Sequence, residues 1–97
     1  MERILTVAGT RQGLELMQQL LEEQGLPVSA CADSGAAARR LLEEQSYHLA
    51  VINAPLTDEH GEAVARMAYR NNTDVILLVK PEHADAVYER IRDTGIY

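Results

Sequence analysis

The 97 residues include no tryptophan, no phenylalanine, one cysteine and one lysine. A lone cysteine, Cys31, cannot build a disulfide framework or a cysteine-based metal site, and this usage favours a reducing, cytoplasmic location. Because Cys31 lies in an apolar run, we expect its thiol to be buried in the core. No apolar run approaches membrane-spanning length, and residues 1–4 lack the apolar region of a signal peptide. We therefore expect a cytoplasmic protein with no membrane association.

Positive charge is also scarce. Nine basic residues face fifteen acidic ones, and the formal net charge is −6. An acidic surface repels the phosphates of nucleic acids, so we expect no direct nucleic-acid contact by this segment. The partners we expect are proteins.

Short apolar runs alternate with stretches of helical periodicity along the whole chain. The runs at 3–8, 27–32, 48–52 and 74–79 predict strands. The periodic stretches at 10–24, 33–45, 62–69 and 81–95 predict helices, with Thr10 capping the first and Asp33 or Ser34 capping the second. The fourth run, DVILLV, lacks polar alternation, which predicts burial on both faces of its strand.

Four successive strand–helix units predict a single α/β domain over residues 1–97, with a parallel sheet covered by helices on both faces. Ile96 and Tyr97 have the pattern of a fifth strand that has only begun, so we expect the domain to be incomplete within its fifth unit.

Ligands of such sheets bind beyond the carboxyl ends of the strands. The residues at these positions are Ala8, Gly9 and Thr10; Asp33, Ser34 and Gly35; 53–58; and 79–82. They include no histidine beside a nucleophile and no glycine-rich phosphate loop after the first strand. The set is poor in catalytic groups, and we expect a protein that is not an enzyme.

The order of elements and the segment HLAVINAPLTDEHG resemble the receiver domain of response regulators, which has the flavodoxin-like, CheY-like doubly wound fold. This resemblance implies the strand order 2-1-3-4, with any fifth strand beside the fourth. The resemblance runs from residue 3 to residue 97. It implies that Asn53 stands where receivers carry the aspartate that accepts a phosphoryl group. It places Ala8 and Gly9 at the two positions where receivers carry the acidic pair that holds Mg²⁺. It places Val79 at the position of the serine or threonine that senses the phosphoryl group.

These departures remove the chemistry of the family. An amide is a poor nucleophile, and Ala8 and Gly9 offer no carboxylate to Mg²⁺, so we expect neither phosphorylation nor a metal cofactor. Lys80 follows the fourth strand, whereas the lysine of the family follows the fifth. Asp58 and Glu59, in the loop after the third strand, could offer Mg²⁺ one carboxylate, but we interpret this charge pair as a solvated loop edge.

The resemblance therefore implies a phosphorylation-independent pseudo-receiver. Within the family, INAPLTDEHG and LLVKPEHADAVYERIRDTGI look most similar to the degenerate receivers that precede a helical, RNA-binding ANTAR domain in antitermination regulators. Such an output domain would lie beyond Tyr97.

Two other functions stay open, and so does the state of assembly. One is a phosphoacceptor receiver with a non-standard pocket, and the other is a flavodoxin-like domain that binds a small ligand. An incomplete fifth unit would leave the edge of the fourth strand unpaired. We therefore expect a homodimer through this edge and the fourth helix, to which Val87, Tyr88 and Ile91 would contribute.

Overall fold

The computed structural model describes residues 3–91 except 55, 57, 59 and 60, without the side chains of residues 90 and 91. The elements are β1 (Ile4–Ala8), α1 (Arg11–Glu23), β2 (Ala30–Ala32), α2 (Gly35–Glu44), β3 (Leu49–Asn53), α3 (Glu62–Arg70), β4 (Asp74–Leu78), a 3₁₀ turn (Pro81–His83) and α4 (Ala84–Ile91). Every element predicted before residue 92 is present, although β2 is shorter than predicted. The predicted start of a fifth strand, at Ile96 and Tyr97, lies outside the described residues.

The four strands form one parallel sheet in the order β2-β1-β3-β4, which confirms the predicted topology. Ala8, the last residue of β1, pairs with Asn53, the last residue of β3, and Asn53 pairs in turn with Leu78 at the end of β4. This register brings the carboxyl ends of three strands to one edge of the sheet.

Helices cover the two faces of the sheet unequally. On one face, Met17 of α1 packs with Ala8 and Val51, and Leu14, Leu21 and Leu49 extend this cluster. The opposite face carries the larger core, where residues of α2, α3 and α4 pack on the strands. Its largest fully buried members include Leu5, Val7, Ile52, Val64 and Val75. The fold is therefore the predicted doubly wound α/β arrangement.

The prediction that both faces of β4 are buried is wrong. Val75 and Leu77 are buried against the larger core, whereas Ile76 and Leu78 are 38% and 44% exposed. β4 is the edge strand of the described sheet, and the cluster around Met17 of α1 includes residues of β1 and β3 but neither Ile76 nor Leu78. An all-apolar strand sequence thus coexists, in the described part of the chain, with one face that is partly exposed.

The prediction of a buried thiol at Cys31 is also wrong, because Cys31 is exposed. It lies on β2, the other edge strand, which has a neighbour on one side only. Since side chains alternate between faces along a strand, the buried position of β2 falls to Ala32.

The predicted caps of the first two helices are confirmed. Thr10 Oγ1 accepts a hydrogen bond from the backbone N–H of Gly13 at 3.0 Å, and Ser34 Oγ accepts one from Ala37 at 3.1 Å. Such caps satisfy N–H groups that have no partner within the helix. Among the described residues, no helix has the length and apolar character needed to cross a membrane.

Candidate functional site

A cavity of about 360 Å³ opens at the carboxyl edge of the sheet. It is lined by Gly9, Thr10, Asn53, Ala54, Val79 and Lys80. All six were singled out in the sequence as residues at the carboxyl ends of strands, and the structure brings them together. Ala8 is buried directly beside Asn53 as its register partner, and Asp58 is engaged elsewhere.

The strand ends hold the floor of this cavity in place. The ladder continues one residue past β3, where the N–H of Ala54 donates to the carbonyl of Leu78 at 2.8 Å. After β4, the carbonyl of Lys80 accepts from the N–H of His83 at 2.9 Å and begins the 3₁₀ turn. The backbone of Lys80 is thereby fixed between β4 and the turn, with its side chain exposed at the rim.

The first turn of α1 lies directly over the ends of β1 and β3. A Cβ atom at Gly13 would come within 3.0 Å of Thr10 Oγ1, 3.3 Å of Ala8 Cβ and 3.6 Å of Asn53 Nδ2. Glycine inside a helix costs up to about 1 kcal/mol relative to alanine, and this close approach explains its presence. The hydroxyl of Thr10 and the amide of Asn53 consequently lie beside the same backbone position.

The chemistry of the lining differs from that of a magnesium-dependent phosphoacceptor site. The described lining offers an amide, a hydroxyl, an ammonium group and backbone groups, and no carboxylate. Mg²⁺ in proteins is typically held by one or two carboxylates, so this donor set does not fit the ion. The described part of the chain also contains no cluster of three histidine, cysteine, aspartate or glutamate side chains suited to a metal.

Val79 presents an apolar, half-buried side chain at the cavity wall. It has no hydroxyl that could bond an oxygen of a bound group. Val79 and Ala8 therefore contribute packing to this edge of the sheet, and Lys80, Asn53 and Thr10 contribute its polar side chains.

Asp58 lies outside the cavity, and its carboxylate forms hydrogen bonds with the start of α2. Its carboxylate accepts hydrogen bonds from the N–H groups of Gly35 at 2.8 Å and Ala36 at 3.2 Å, at the start of α2. The hydrogen bond from Gly35 is the main cause that lowers the pKa of Asp58 below its ordinary value. Interpreting Asp58 as a solvated loop edge missed this role, since its partners are more than twenty residues away in sequence.

Gly61 ends the loop that contains Asp58. Its φ of 90° is in the left-handed region, and a Cβ atom there would lie 3.2 Å from Ile52 Cγ2. Both observations favour glycine, which has no Cβ to clash. The loop therefore enters α3 through a position that a larger residue would strain.

Solved structures with the same fold belong to response regulators. The signal receiver domain of an HD domain-containing protein from Pseudomonas fluorescens Pf-5 is 25% identical, with a TM-score of 0.79 over 99% of this chain and 78% of that one. A LuxR-family DNA-binding response regulator from Staphylococcus aureus is 18% identical, with a TM-score of 0.81 over 99% and 82%. The receiver domain of the putative response regulator NarL from Mycobacterium tuberculosis is 23% identical, with a TM-score of 0.79 over 98% and 78%.

At the level of sequence, no protein-family model and no curated protein matches the chain. The structural similarity nevertheless extends over nearly all of its length. The chain has the CheY-like receiver fold, as its sequence predicts.

Proposed function

We propose that this chain is a non-enzymatic regulatory module that uses the receiver fold without phosphorylation at the end of β3. The observation that carries the proposal is the pairing of Asn53 with Ala8 at the carboxyl edge of the sheet. An amide and a methyl group stand side by side where the resemblance to receivers calls for two carboxylates.

Each missing group has a chemical consequence. Formation of an acyl phosphate requires a carboxylate nucleophile, and an amide at Asn53 does not replace it. A metal that would neutralise an incoming phosphodonor has no carboxylate ligand in the described cavity lining. Val79 provides no hydroxyl to detect a phosphoryl group. The nucleophile, the metal ligands and the phosphoryl-sensing hydroxyl are needed at different points of the same process. A substitution that restores one of them leaves the other two missing.

A role in signalling is supported by the structural neighbours. The similar domain from Pseudomonas fluorescens is a signal receiver domain, and the similar protein from Staphylococcus aureus is a DNA-binding response regulator. We propose that this chain likewise controls an output domain through protein contacts in the cytoplasm. The resemblance to degenerate receivers of antitermination regulators favours an RNA-binding ANTAR domain as that output, with the acidic receiver-like segment making no RNA contact itself.

The proposal is tested by incubating the protein with Mg²⁺ and acetyl phosphate and measuring its intact mass. We expect no increase by the mass of a phosphoryl group, and no rise in melting temperature with Mg²⁺ alone, since a bound ligand would stabilise the folded state. Stoichiometric phosphorylation would instead support a receiver with a non-standard pocket.

A further inference from the structure

Cys31 and Thr6 lie side by side on one face of the sheet. They are register partners in the pairing of β2 with β1. Because side chains alternate between faces along a strand, both project from the face opposite to that of their sequence neighbours, which is the face on which α1 packs. Those neighbours belong to the larger core: Leu5, Val7, Ala30 and Ala32.

The two side chains differ in their access to solvent. The thiol of Cys31 is exposed, because β2 is an edge strand. Thr6 is completely buried, and its hydroxyl has no hydrogen-bond partner among the described residues, the sulfur of Cys31 included. Buried polar groups in folded proteins are nearly always paired, and an unpaired one is costly. The Thr6 hydroxyl is therefore a buried donor without an acceptor, next to an accessible thiol.

One oxygen atom added to the sulfur of Cys31 would supply the missing acceptor. Neighbouring strands are about 4.7–4.9 Å apart, and side chains of register partners on the same face stand at about this spacing. An oxygen bonded to Sγ lengthens the cysteine side chain by one atom and accepts hydrogen bonds far better than a thiol does. The hydroxyl hydrogen of Thr6 can rotate towards that oxygen.

We propose that Cys31 is a site of reversible oxidation to a sulfenic acid by hydroperoxides, in which the Thr6 hydroxyl donates a hydrogen bond to the added oxygen. The thiolate sulfur attacks the terminal hydroxyl oxygen of the peroxide. The S–O bond forms, the O–O bond breaks, and the hydroxide or alkoxide that leaves takes a proton from water. Two electrons pass from the sulfur to the peroxide, and a thiol reductant returns them.

The rest of the chain supplies no thiol that would consume this product. A sulfenic acid normally condenses with a nearby thiol to form a disulfide, and the 97 residues contain no second cysteine. Neither Cys31 nor Thr6 lines the cavity at the carboxyl edge of the sheet. The oxidation therefore takes place independently of whether the end of β3 is phosphorylated.

Hydrogen peroxide is the probe, and the intact mass of the 97-residue protein is the first measurement. The reduced protein is treated in mildly alkaline buffer, which increases the fraction of thiolate, the nucleophilic form. We expect a gain of one oxygen that dithiothreitol reverses and that dimedone, a reagent for sulfenic acids, traps. Cys31→Ser is the control: it retains any methionine oxidation, which dithiothreitol does not reverse, and it should show no reversible gain.

Thr6→Val tests the hydrogen bond, because valine keeps the volume of threonine and lacks the hydroxyl. Urea unfolding of the reduced and the oxidised protein gives the shift of the midpoint that oxidation causes. We expect this shift to be more stabilising in the wild type than in Thr6→Val, by about a fivefold change in the unfolding equilibrium constant, as for one hydrogen bond. Thr73→Val removes a buried hydroxyl at the other edge of the sheet and should show the wild-type shift.

Two results would overturn the proposal. If peroxide adds no oxygen that dithiothreitol removes, or adds it equally to Cys31→Ser, Cys31 is not a site of reversible oxidation. If oxidation shifts the urea midpoint equally in the wild type and in Thr6→Val, the Thr6 hydroxyl does not bind the added oxygen.

Discussion

The carboxylate of Asp58 accepts the backbone N–H of Gly35 at 2.8 Å, and so joins the loop after β3 to the first turn of α2. Its second oxygen accepts the N–H of Ala36 at 3.2 Å, and Ser34 Oγ accepts the N–H of Ala37. Three consecutive N–H groups that have no acceptor within the helix are thereby satisfied, and a negative charge lies at the positive end of the helix. The loop beside the cavity is anchored to a second element.

Asp58→Ala should lower the melting temperature, because it leaves two N–H groups of α2 without their acceptor. Asp58→Asn should have a smaller effect, since one side-chain oxygen remains. Asp74→Asn removes a carboxylate of the same kind from an exposed strand end and is the control. Thermal unfolding followed by circular dichroism measures all three, and equal stability of the Asp58→Ala variant and the wild type would contradict the role of the carboxylate.

The same contact predicts a pH dependence. The pKa of Asp58 is lowered in the folded state, chiefly by the hydrogen bond from Gly35, from an ordinary value of 3.8. Its stabilising contribution is therefore present above pH 3.8 and is lost as the pH falls through the lower folded-state pKa. The stability difference between the wild type and Asp58→Asn should shrink in this acidic range. A difference that is constant from neutral pH to pH 3 would show that ionisation is not involved.

Two buried threonines should respond in opposite ways to the same substitution. Thr73 Oγ1 donates to the carbonyl of Tyr47 at 2.9 Å, whereas the Thr6 hydroxyl has no hydrogen-bond partner among the described residues. Thr73→Val leaves a buried carbonyl without its donor and should cost about 1–3 kcal/mol of the free energy of unfolding. Thr6→Val removes a buried hydroxyl that makes no hydrogen bond to the described residues. The change should leave the free energy of unfolding the same or raise it by up to about 1 kcal/mol.

Chemical denaturation of both variants gives these free energies, and each variant serves as the volume-matched control for the other. A loss at position 6 as large as that at position 73 would mean that the Thr6 hydroxyl has a partner in solution.

Neighbouring leucines of β4 test which face of this strand is buried. Leu77 is buried in the larger core, and Leu77→Ala should cost about 2–5 kcal/mol, the usual range for a large-to-small change in a core. Leu78 is 44% exposed on the opposite face of the strand, and Leu78→Ala should cost less than about 1 kcal/mol. Similar losses for the two variants, measured by urea unfolding, would show that both faces of β4 are covered in solution.

The parallel sheet could be predicted because apolar runs alternate with stretches of helical periodicity, and right-handed connections then place helices on both faces. Its strand order is what the resemblance to receiver domains implies. The proximity of Ala8, Asn53 and Val79 follows from that order, since the carboxyl ends of parallel strands share an edge. The caps at Thr10 and Ser34 were predictable from residues adjacent in sequence. These features depend on local pattern or on topology alone.

What the sequence did not predict depends on contacts between distant segments. The run DVILLV indicates a strand, but it does not indicate how completely its second face is covered, and Ile76 is 38% exposed on that face. The partner of Asp58 is set by the packing of a loop on α2. Cys31 lies in an apolar run of the sequence, yet it is exposed because it lies on an edge strand.

Self-association through β4 stays a prediction, and the candidate residues for this contact differ in exposure. Ile76, Leu78 and Tyr88 are exposed, whereas Val87 is buried in the core and is not available for contact. The side chain of Ile91 lies outside the described residues. We propose that a second copy pairs along the β4 edge, since an exposed strand edge is open to another chain.

Light scattering at micromolar concentration should give the mass of a dimer, and Leu78→Lys should convert it to a monomer. Gln45→Lys adds the same charge at an exposed position after α2 and should leave the dimer intact. A monomer mass for the unchanged chain would contradict the proposed pairing.

The central claim is that phosphorylation chemistry is missing at more than one position, and the intact mass of the Asn53→Asp variant tests it most directly. This variant restores the nucleophile but leaves Ala8 and Gly9 without carboxylates for Mg²⁺. After incubation with Mg²⁺ and acetyl phosphate, we expect the mass of the unmodified variant, with an ordinary receiver domain phosphorylated in parallel as the positive control. A stoichiometric gain of one phosphoryl group by Asn53→Asp would contradict the account, because a single substitution would then have restored the whole reaction.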